Sequence, residues 1–225
     1  MNLKVTTLGL GYIGLPTSAL IASHGVAVYG VDISQHVVNT INAGKIHIVE
    51  PDLDKAVAEA VSAGFLKADT EPAVADVYLI VVPTPFKGGS HEPDTSYIQA
   101  ATEGILPLLK EGDLYIIEST SPVGTTERMA EFIYANRPEL KGKLHIAYCP
   151  ERVLPGNVMH ELVHNDRVIG GVDDTSTEKA RAFYKQFVKG ELHKTNARTA
   201  EMCKLVENSS RDVQIAFANE LSIIA

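Results

Sequence analysis

The chain has 225 residues, of which 45% are hydrophobic and 21% are charged, and its mean hydropathy is near zero at +0.03. These proportions are those of an ordinary globular protein, and the length suits one large domain or one domain with the beginning of another. The net charge of −8, with no run of basic residues, argues against nucleic acid or an anionic membrane surface as the main partner.

Short-range patterns in the sequence argue against a membrane-spanning segment, a signal peptide and a metal site. No apolar run approaches the ~20 residues of a membrane-spanning helix, and the first predicted strand begins too early for a signal peptide. The two cysteines, Cys149 and Cys203, are far apart and form no ligand spacing, which favours a reducing cytoplasm. No metal site is predicted. Several histidines fall in polar surroundings and are expected at the surface: His36, His47, His91 and His164.

The order of the hydrophobic segments predicts an α/β fold. Short runs rich in β-branched and aromatic residues, typical of buried strands, alternate with longer segments of helical period. Strands are predicted at 4–8, 27–31, 65–68, 78–82, 114–118, 145–148, 167–171 and 191–195, and helices at 34–43, 52–63, 95–109 and 175–187, with others opening near 16 and 124. This alternation predicts a doubly wound parallel, Rossmann-like sheet over residues 1–196. The remaining segment, 197–225, is predicted to form the first part of a long connecting helix.

A glycine-rich turn follows the first predicted strand. It reads Gly9-Leu10-Gly11-Tyr12-Ile13-Gly14 and leads into a helix. In a dinucleotide site Gly9 permits the tight turn, Gly11 lets the backbone approach a pyrophosphate, and Gly14 lets the helix pack on the strand. The helix N-terminus offers free N–H groups and a partial positive charge for the phosphates.

The second predicted strand ends at Asp32, which lies 18 residues beyond Gly14. A carboxylate there accepts hydrogen bonds from the adenosine ribose and repels a 2′-phosphate. No Lys or Arg follows until Lys45. The sequence therefore predicts an NAD site rather than an NADP site.

Polar residues follow three further predicted strands. Thr84 lies after the strand at 78–82, the run 119–121 after the next strand, and the loop 149–156 after the strand at 145–148. In open α/β sheets the ligand binds at the carboxyl ends of the strands. The hydroxyls also suit ordinary helix caps, and the charged residues of the last loop also suit a solvated surface.

The last predicted helix carries one polar stripe. At 100° per residue Glu201, Lys204, Asn208 and Arg211 fall within about 80° of one another. The roughly opposite face is apolar and carries Met202, Val206, Val213 and Phe217. A solvated amphipathic helix explains this pattern as well as a substrate site does, although an Asn within a helix is a poor helix former.

Taken together, these motifs resemble the nucleotide-sugar 6-dehydrogenases. The resemblance runs along the whole chain, through the segments at 9–16, 31–33, 50–53, 82–85, 118–126, 149–156 and 201–208. The stretches at 149–156 and 165–171 are most similar to the branch that oxidises UDP-N-acetyl-D-mannosamine. Pro155 stands where the UDP-glucose branch usually has a second glutamate, which argues against UDP-glucose.

The resemblance implies an enzyme of cell-surface polysaccharide synthesis that oxidises the sugar C6 alcohol to a carboxylate in two NAD-dependent steps. Lys204 and Asn208 would then stabilise oxyanionic intermediates, while Thr120 and Glu151 would position water. The residues implied in contact with the sugar or UDP also include Arg152, Val153 and Arg211. Those implied at the cofactor are Tyr12, Ile13, Thr84 and Thr126.

One element of the resemblance is missing. The family's nucleophilic cysteine lies in a Gly-Gly-His-Cys-like segment beyond the long helix, and neither Cys149 nor Cys203 matches it. The chain is therefore expected to be the N-terminal portion of a homodimeric enzyme, without the UDP-binding domain, and to bind NAD without completing the oxidation. Three alternatives stay open: UDP-N-acetylglucosamine or UDP-glucose as substrate, a hydroxy-acid dehydrogenase of the phosphogluconate type, and a non-catalytic NAD-binding module.

Overall fold

The computed structural model describes residues 3–224. Its centre is an eight-stranded sheet in the order β3-β2-β1-β4-β5-β6-β7-β8. The strands are β1 (Lys4–Leu8), β2 (Ala27–Val31), β3 (Leu66–Asp69), β4 (Val77–Ile80), β5 (Leu114–Ile117), β6 (His145–Tyr148), β7 (Arg167–Gly171) and β8 (Leu192–Asn196). The strand order reverses between β1 and β4, as in a doubly wound fold.

Helices connect the strands and cover the sheet. They are α1 (Gly14–Ser23), α2 (Gln35–Asn42), α3 (Leu53–Ser62), α4 (Ser96–Ile105), α5 (Thr125–Asn136), α6 (Val158–His164), α7 (Asp174–Tyr184) and α8 (Ala197–Ile224). Two 3₁₀ turns, Leu106–Leu108 and Pro138–Leu140, follow α4 and α5. The predicted α/β class and the long final helix are confirmed, and among residues 3–224 no helix is long and apolar enough to cross a bilayer.

The central strands are buried on both faces. Along β4, Leu79 belongs to the core on one side of the sheet, whereas Tyr78 and Ile80 belong to the core on the other side. This division follows from the period of two in a strand, which sends successive side chains to opposite faces. Such strands read as continuous apolar runs in the sequence, so the central strands could be predicted.

The direction of β7 differs from the prediction of an all-parallel sheet. β7 pairs with β6 in antiparallel register, with Tyr148 opposite Gly170, and β8 is parallel to β7. Because β7 runs back along β6, its first residue, Arg167, lies beyond the carboxyl end of β6. The reversal therefore places a guanidinium at the edge of the sheet where β1 to β6 end.

A short helix that the sequence pattern did not predict, α6, follows the loop after β6. The buried Glu50 carboxylate accepts the backbone N–H groups of Gly156 at 3.0 Å and Val158 at 2.8 Å. Two otherwise unpaired donors at the start of α6 are thereby satisfied. The loop 149–157 is thus fastened to the N-terminal half of the chain.

Only the first turn of α8 is buried. Glu201 is fully buried there, although the polar stripe predicted it beside exposed residues. The apolar side chains on the other face of the helix are half or more exposed: Met202 at 50%, Val206 at 56%, Val213 at 67% and Phe217 at 65%. Most of α8 therefore projects from the domain with an uncovered apolar face.

Candidate functional site

A cavity of about 810 Å³ opens along the carboxyl ends of the strands. Its lining runs from Asp32 after β2, past Gly11, to Thr120 after β5, Glu151 after β6 and Lys204 on α8. The cavity thus crosses the point between β1 and β4 where the strand order reverses. Doubly wound sheets bind dinucleotides at this place.

The three glycines of the first turn differ in their surroundings. Gly9 has φ +97°, and a Cβ there would lie 2.3 Å from the Val81 carbonyl oxygen. A Cβ on Gly14 would lie 1.8 Å from the Gly9 carbonyl oxygen, whereas one on Gly11 would meet no atom within 4 Å. Gly9 and Gly14 are therefore required by close packing of the protein itself. Gly11 instead faces open cavity, which fits the close approach of a pyrophosphate.

Asp32 is fixed at one end of the cavity. Its Oδ2 accepts the N–H of Leu10 at 3.1 Å and its Oδ1 accepts the N–H of Ser34 at 2.9 Å. These bonds orient the carboxylate while each oxygen keeps a further lone pair. The site therefore fits the ribose hydroxyls of a dinucleotide, as predicted for Asp32. Tyr12 and Ile13, predicted to bind the cofactor, also line the cavity.

Hydroxyl groups join the loops at the other end of the cavity. The Thr84 hydroxyl donates to the Thr120 carbonyl at 2.7 Å, and the Ser119 hydroxyl donates to the Val82 carbonyl at 2.7 Å. Thr84 and Thr120 both line the cavity. These bonds hold the segments after β4 and β5 at a fixed distance from each other.

Glu151 and Lys204 meet beside these loops. The buried Glu151 carboxylate lies 2.8 Å from the Arg167 guanidinium, and its other oxygen accepts the N–H of Arg152 at 2.9 Å. The Lys204 ammonium donates to the Glu151 carbonyl at 2.6 Å. Burial lowers the pKa of Lys204, while the Glu151 carboxylate opposes this shift. The site thus holds an anion and a cation in separate, fixed positions, and Val153 lines the cavity next to them.

Five of the predicted site residues do not line the cavity. One of them, Gly14, packs against the Gly9 carbonyl. Thr126 is buried and its hydroxyl donates to the Glu201 carboxylate at 2.7 Å. Arg152 forms an ion pair with Glu207. Asn208 and Arg211 are exposed on the projecting part of α8. Their predicted roles at the substrate or cofactor therefore remain predictions.

Among the cavity residues that sequence reasoning missed is a buried carboxyl group, Glu118. It follows β5 directly, is only 3% exposed and lines the cavity together with Thr120. The signal available in the sequence was a carboxylate directly after a continuous apolar strand, at the edge where such sheets bind their ligands.

The sequence prediction also overlooked a spacing typical of metal sites. Residues 160–164 read His-Glu-Leu-Val-His, as on zinc-binding helices. On α6 the two imidazole rings stack with centroids 4.1 Å apart, while the Glu161 carboxylate accepts the N–H of Leu154 at 2.8 Å. Glu161 therefore stabilises the loop before α6 by accepting this hydrogen bond. His47, predicted at the surface, is partly buried.

The two cysteines are expected to differ sharply in reactivity. Cys149 is fully buried, and burial raises the pKa of its thiol to about 12, whereas Cys203 is partly exposed. Because the thiolate is the reactive form, iodoacetamide at pH 8 should label Cys203 and leave Cys149 unmodified. Mass spectrometry of the peptides checks this, with urea-unfolded protein as the control in which both label. Labelling of Cys149 in folded protein would contradict its placement.

Comparison with known proteins gives consistent matches. The sequence profile described as "UDP-glucose/GDP-mannose dehydrogenase family, NAD binding domain" matches residues 3–188. The UDP-N-acetyl-D-mannosamine dehydrogenase of Escherichia coli (strain K12) is 58% identical, over 98% of this chain and 54% of that protein. The NDP-N-acetyl-D-galactosaminuronic acid dehydrogenase of Ralstonia nicotianae is 56% identical, over 98% of this chain and 54% of that protein.

A solved structure gives the same result. The UDP-N-acetyl-mannosamine dehydrogenase from Staphylococcus aureus superposes with a TM-score of 0.91 at 46% identity, over 98% of this chain and 54% of that one. The chain thus spans about half the length of the curated relatives it matches. The profile match confirms the predicted cofactor, NAD, while the domain bounds of 1–196 remain a prediction.

Proposed function

The chain belongs to the UDP-glucose/GDP-mannose dehydrogenase family, and on that premise we propose that it supplies the cofactor half of an NAD-dependent nucleotide-sugar 6-dehydrogenase. The reaction is the four-electron oxidation of a C6 alcohol to a carboxylate. In this proposal residues 1–196 form the cofactor domain and residues 197–225 begin a helix that connects it to the rest of a homodimeric enzyme.

One observation carries the proposal. A single cavity joins Asp32 and the Gly11 turn, which fit a dinucleotide, to Glu151 and Lys204, which fit polar chemistry. A site that only stored NAD would not need a half-buried ammonium and a buried carboxylate at the end of the cavity away from Asp32. This pairing favours a dehydrogenase over a non-catalytic NAD-binding module.

The residues of this chain have distinct parts in the proposed reaction. NAD, when bound, accepts hydride. Asp32 binds the adenosine ribose, and the backbone at Gly11 together with the N-terminus of α1 binds the pyrophosphate. Lys204 stabilises negative charge that develops on the substrate oxygen, while Glu151 and Thr120 position water. Because Glu151 is anchored by Arg167, its carboxylate keeps one orientation during turnover.

The substrate that we propose is UDP-N-acetyl-D-mannosamine. The resemblance at 149–156, Pro155 in place of a second glutamate, and the E. coli and S. aureus relatives support it. The R. nicotianae relative has a different sugar in its name at nearly the same identity. The test should therefore compare UDP-N-acetylmannosamine with UDP-N-acetylgalactosamine, UDP-N-acetylglucosamine and UDP-glucose.

Calorimetric titration of this chain tests the proposal. Saturable binding of NAD is expected. Among the UDP-sugars added in its presence, UDP-N-acetylmannosamine should bind most tightly. Failure of a folded sample to bind NAD would refute the proposed function. Tighter binding of UDP-glucose would overturn the choice of sugar alone.

Asp32 is expected to set the choice between NAD and NADP. The fixed carboxylate repels a 2′-phosphate, so NAD should bind about 100-fold more tightly than NADP, a difference of about 2.7 kcal/mol. Asp32→Asn should reduce this ratio to less than about tenfold. Asp69→Asn is the matched control, since Asp69 ends the neighbouring strand β3 and pairs with Lys67 outside the cavity. An unchanged ratio in Asp32→Asn would contradict the assignment.

A further inference from the structure

Glu118 is a buried carboxyl group that the proposed mechanism leaves without a role. It lines the same cavity as Thr120 and is 3% exposed. Its Oε1 accepts the Tyr184 hydroxyl at 2.6 Å, whereas its Oε2 has no hydrogen-bond partner within residues 3–224. A buried polar atom without a partner is uncommon and calls for an explanation.

The charges around Glu118 do not balance when it is ionised. Arg167 is the cation that faces it, and this guanidinium already pairs with Glu151 at 2.8 Å. The other groups that face Glu118 are a thiol and two phenols, and burial raises the pKa of each above its ordinary value: Cys149, Tyr148 and Tyr184. These three stay neutral at physiological pH. Ionised Glu118 therefore adds one uncompensated negative charge beside the cavity.

The position of Glu118 along the cavity indicates which part of a dinucleotide it faces. Asp32 fits the adenosine ribose and Gly11 fits the pyrophosphate. A dinucleotide that crosses from β2 over β1 to β4 therefore directs its nicotinamide end toward the loops after β4 and β5. Glu118 lies there with Thr84 and Thr120.

We propose that Glu118 distinguishes the oxidised from the reduced cofactor. Its carboxylate stabilises the positively charged nicotinamide ring of NAD⁺, and its protonated form accompanies the uncharged dihydronicotinamide ring of NADH. This inference rests on the proposed function, because it takes the cavity as the NAD site. When NAD⁺ binds to the protein with protonated Glu118, the carboxyl group becomes a carboxylate and one proton passes to solvent. NADH binding leaves the proton in place.

The proposal predicts the sign of a pH effect. Burial raises the pKa of Glu118 to about 7. The positive charge of Arg167 opposes this increase, and the negative charge of Glu151 adds to it. Below this pH Glu118 is neutral and gives NAD⁺ no advantage. As the pH rises from 5.5 to 8.5, the affinity for NAD⁺ should increase relative to that for NADH. A tenfold change corresponds to a difference of one unit between the pKa values in the two complexes.

The experiment measures the dissociation constants of NAD⁺ and NADH for this chain between pH 5.5 and 8.5. Their ratio is the informative quantity. Groups at the adenosine end face the same atoms in both cofactors, so the effects of their titration on the two dissociation constants cancel in the ratio. Calorimetry in buffers of different ionisation enthalpy also counts the protons released, which should be more for NAD⁺ than for NADH near pH 7. Neither readout requires turnover.

Three variants separate Glu118 from other groups. Glu118→Gln should abolish the change in ratio while leaving NADH affinity within about threefold. Asp113→Asn is the matched control. Asp113 directly precedes β5, at the opposite edge of the sheet, and burial raises its pKa to about 6. Its replacement should leave the pH dependence of the affinity ratio unchanged. Tyr184→Phe removes a bond that lowers the pKa of Glu118, so the midpoint of the change should move to higher pH.

The results separate a role of Glu118 from a role of Lys204 and from a failure of NAD binding itself. A ratio that does not vary with pH in the unmodified chain overturns the role of Glu118 and leaves NAD binding intact. A pH-dependent ratio that persists in Glu118→Gln also overturns it and assigns the effect to Lys204, whose loss of charge has the same sign. Absence of saturable binding by either cofactor in folded protein removes the proposed function and this inference together.

Discussion

Replacing Gly11 with valine is expected to abolish measurable NAD binding while the fold stays intact. A Cβ at this position meets no protein atom within 4 Å, and Gly11 has no positive φ. The side chain would instead occupy the space into which a pyrophosphate must come. We expect a loss of at least about 100-fold in NAD affinity, or about 2.7 kcal/mol, with a melting temperature within a few degrees of the unmodified chain.

Two further glycine variants make this result interpretable. Gly88→Val is the matched control, because a Cβ at Gly88 also meets nothing within 4 Å and Gly88 lies outside the cavity lining. Gly14→Ala should lower the melting temperature itself, since its Cβ would lie 1.8 Å from the Gly9 carbonyl oxygen. Titration calorimetry and thermal melts distinguish the three. If Gly11→Val bound NAD within threefold of the unmodified chain, the pyrophosphate site would be elsewhere.

Replacing Glu201 with alanine is expected to be the most destabilising change in α8. The fully buried Glu201 carboxylate accepts the N–H of Gly124 at 2.5 Å, the N–H of Thr126 at 2.8 Å and the Thr126 hydroxyl at 2.7 Å. It also places negative charge at the positive N-terminus of α5. The variant would leave three buried donors without a partner, each costing about 1–3 kcal/mol. A loss of about 3–5 kcal/mol is expected from urea unfolding.

Glu127→Ala is the control for this prediction. Glu127 lies in the first turn of α5, has a side chain that is about half exposed, and pairs with Arg198 at 2.9 Å. Exposed ion pairs contribute about 0–1 kcal/mol, so this variant should remain close to the unmodified chain. Glu201→Gln keeps one acceptor oxygen, so its free energy of unfolding should lie between those of Glu201→Ala and Glu127→Ala. Equal stability of Glu201→Ala and Glu127→Ala would mean that the cap is not formed in solution.

Local patterns were sufficient to predict most of the sheet. The strands at 4–8, 27–31, 145–148 and 167–171 have the predicted bounds, because β-branched and aromatic runs bounded by turn residues are a local signal. The Gly9–Gly14 turn and Asp32 were likewise predicted from their spacing. These features depend on residues close together in the chain.

Features that depend on distant contacts were not predicted. The reversed direction of β7 leaves no trace in its residues, since a buried strand reads alike in either direction. The helix α6 is short and lies among Pro, Gly and His residues, and its first turn is satisfied by Glu50 from far along the chain. For the same reason Glu201, predicted on a polar stripe, is a buried cap. Helix periodicity places a side chain on a face without saying what covers that face.

The attachment of the loop after β6 to Glu50 has a kinetic consequence. The two bonds span 106 and 108 residues, and contacts between segments so far apart form late in folding because chain entropy opposes their closure. We therefore expect the loop that carries Glu151 and Val153 to order only after the segment that holds Glu50 is in place. In native-state hydrogen exchange its amides should open at lower free energy than those of β4 and β5. The polar end of the cavity is thus expected to order late in folding and to open before the central strands do.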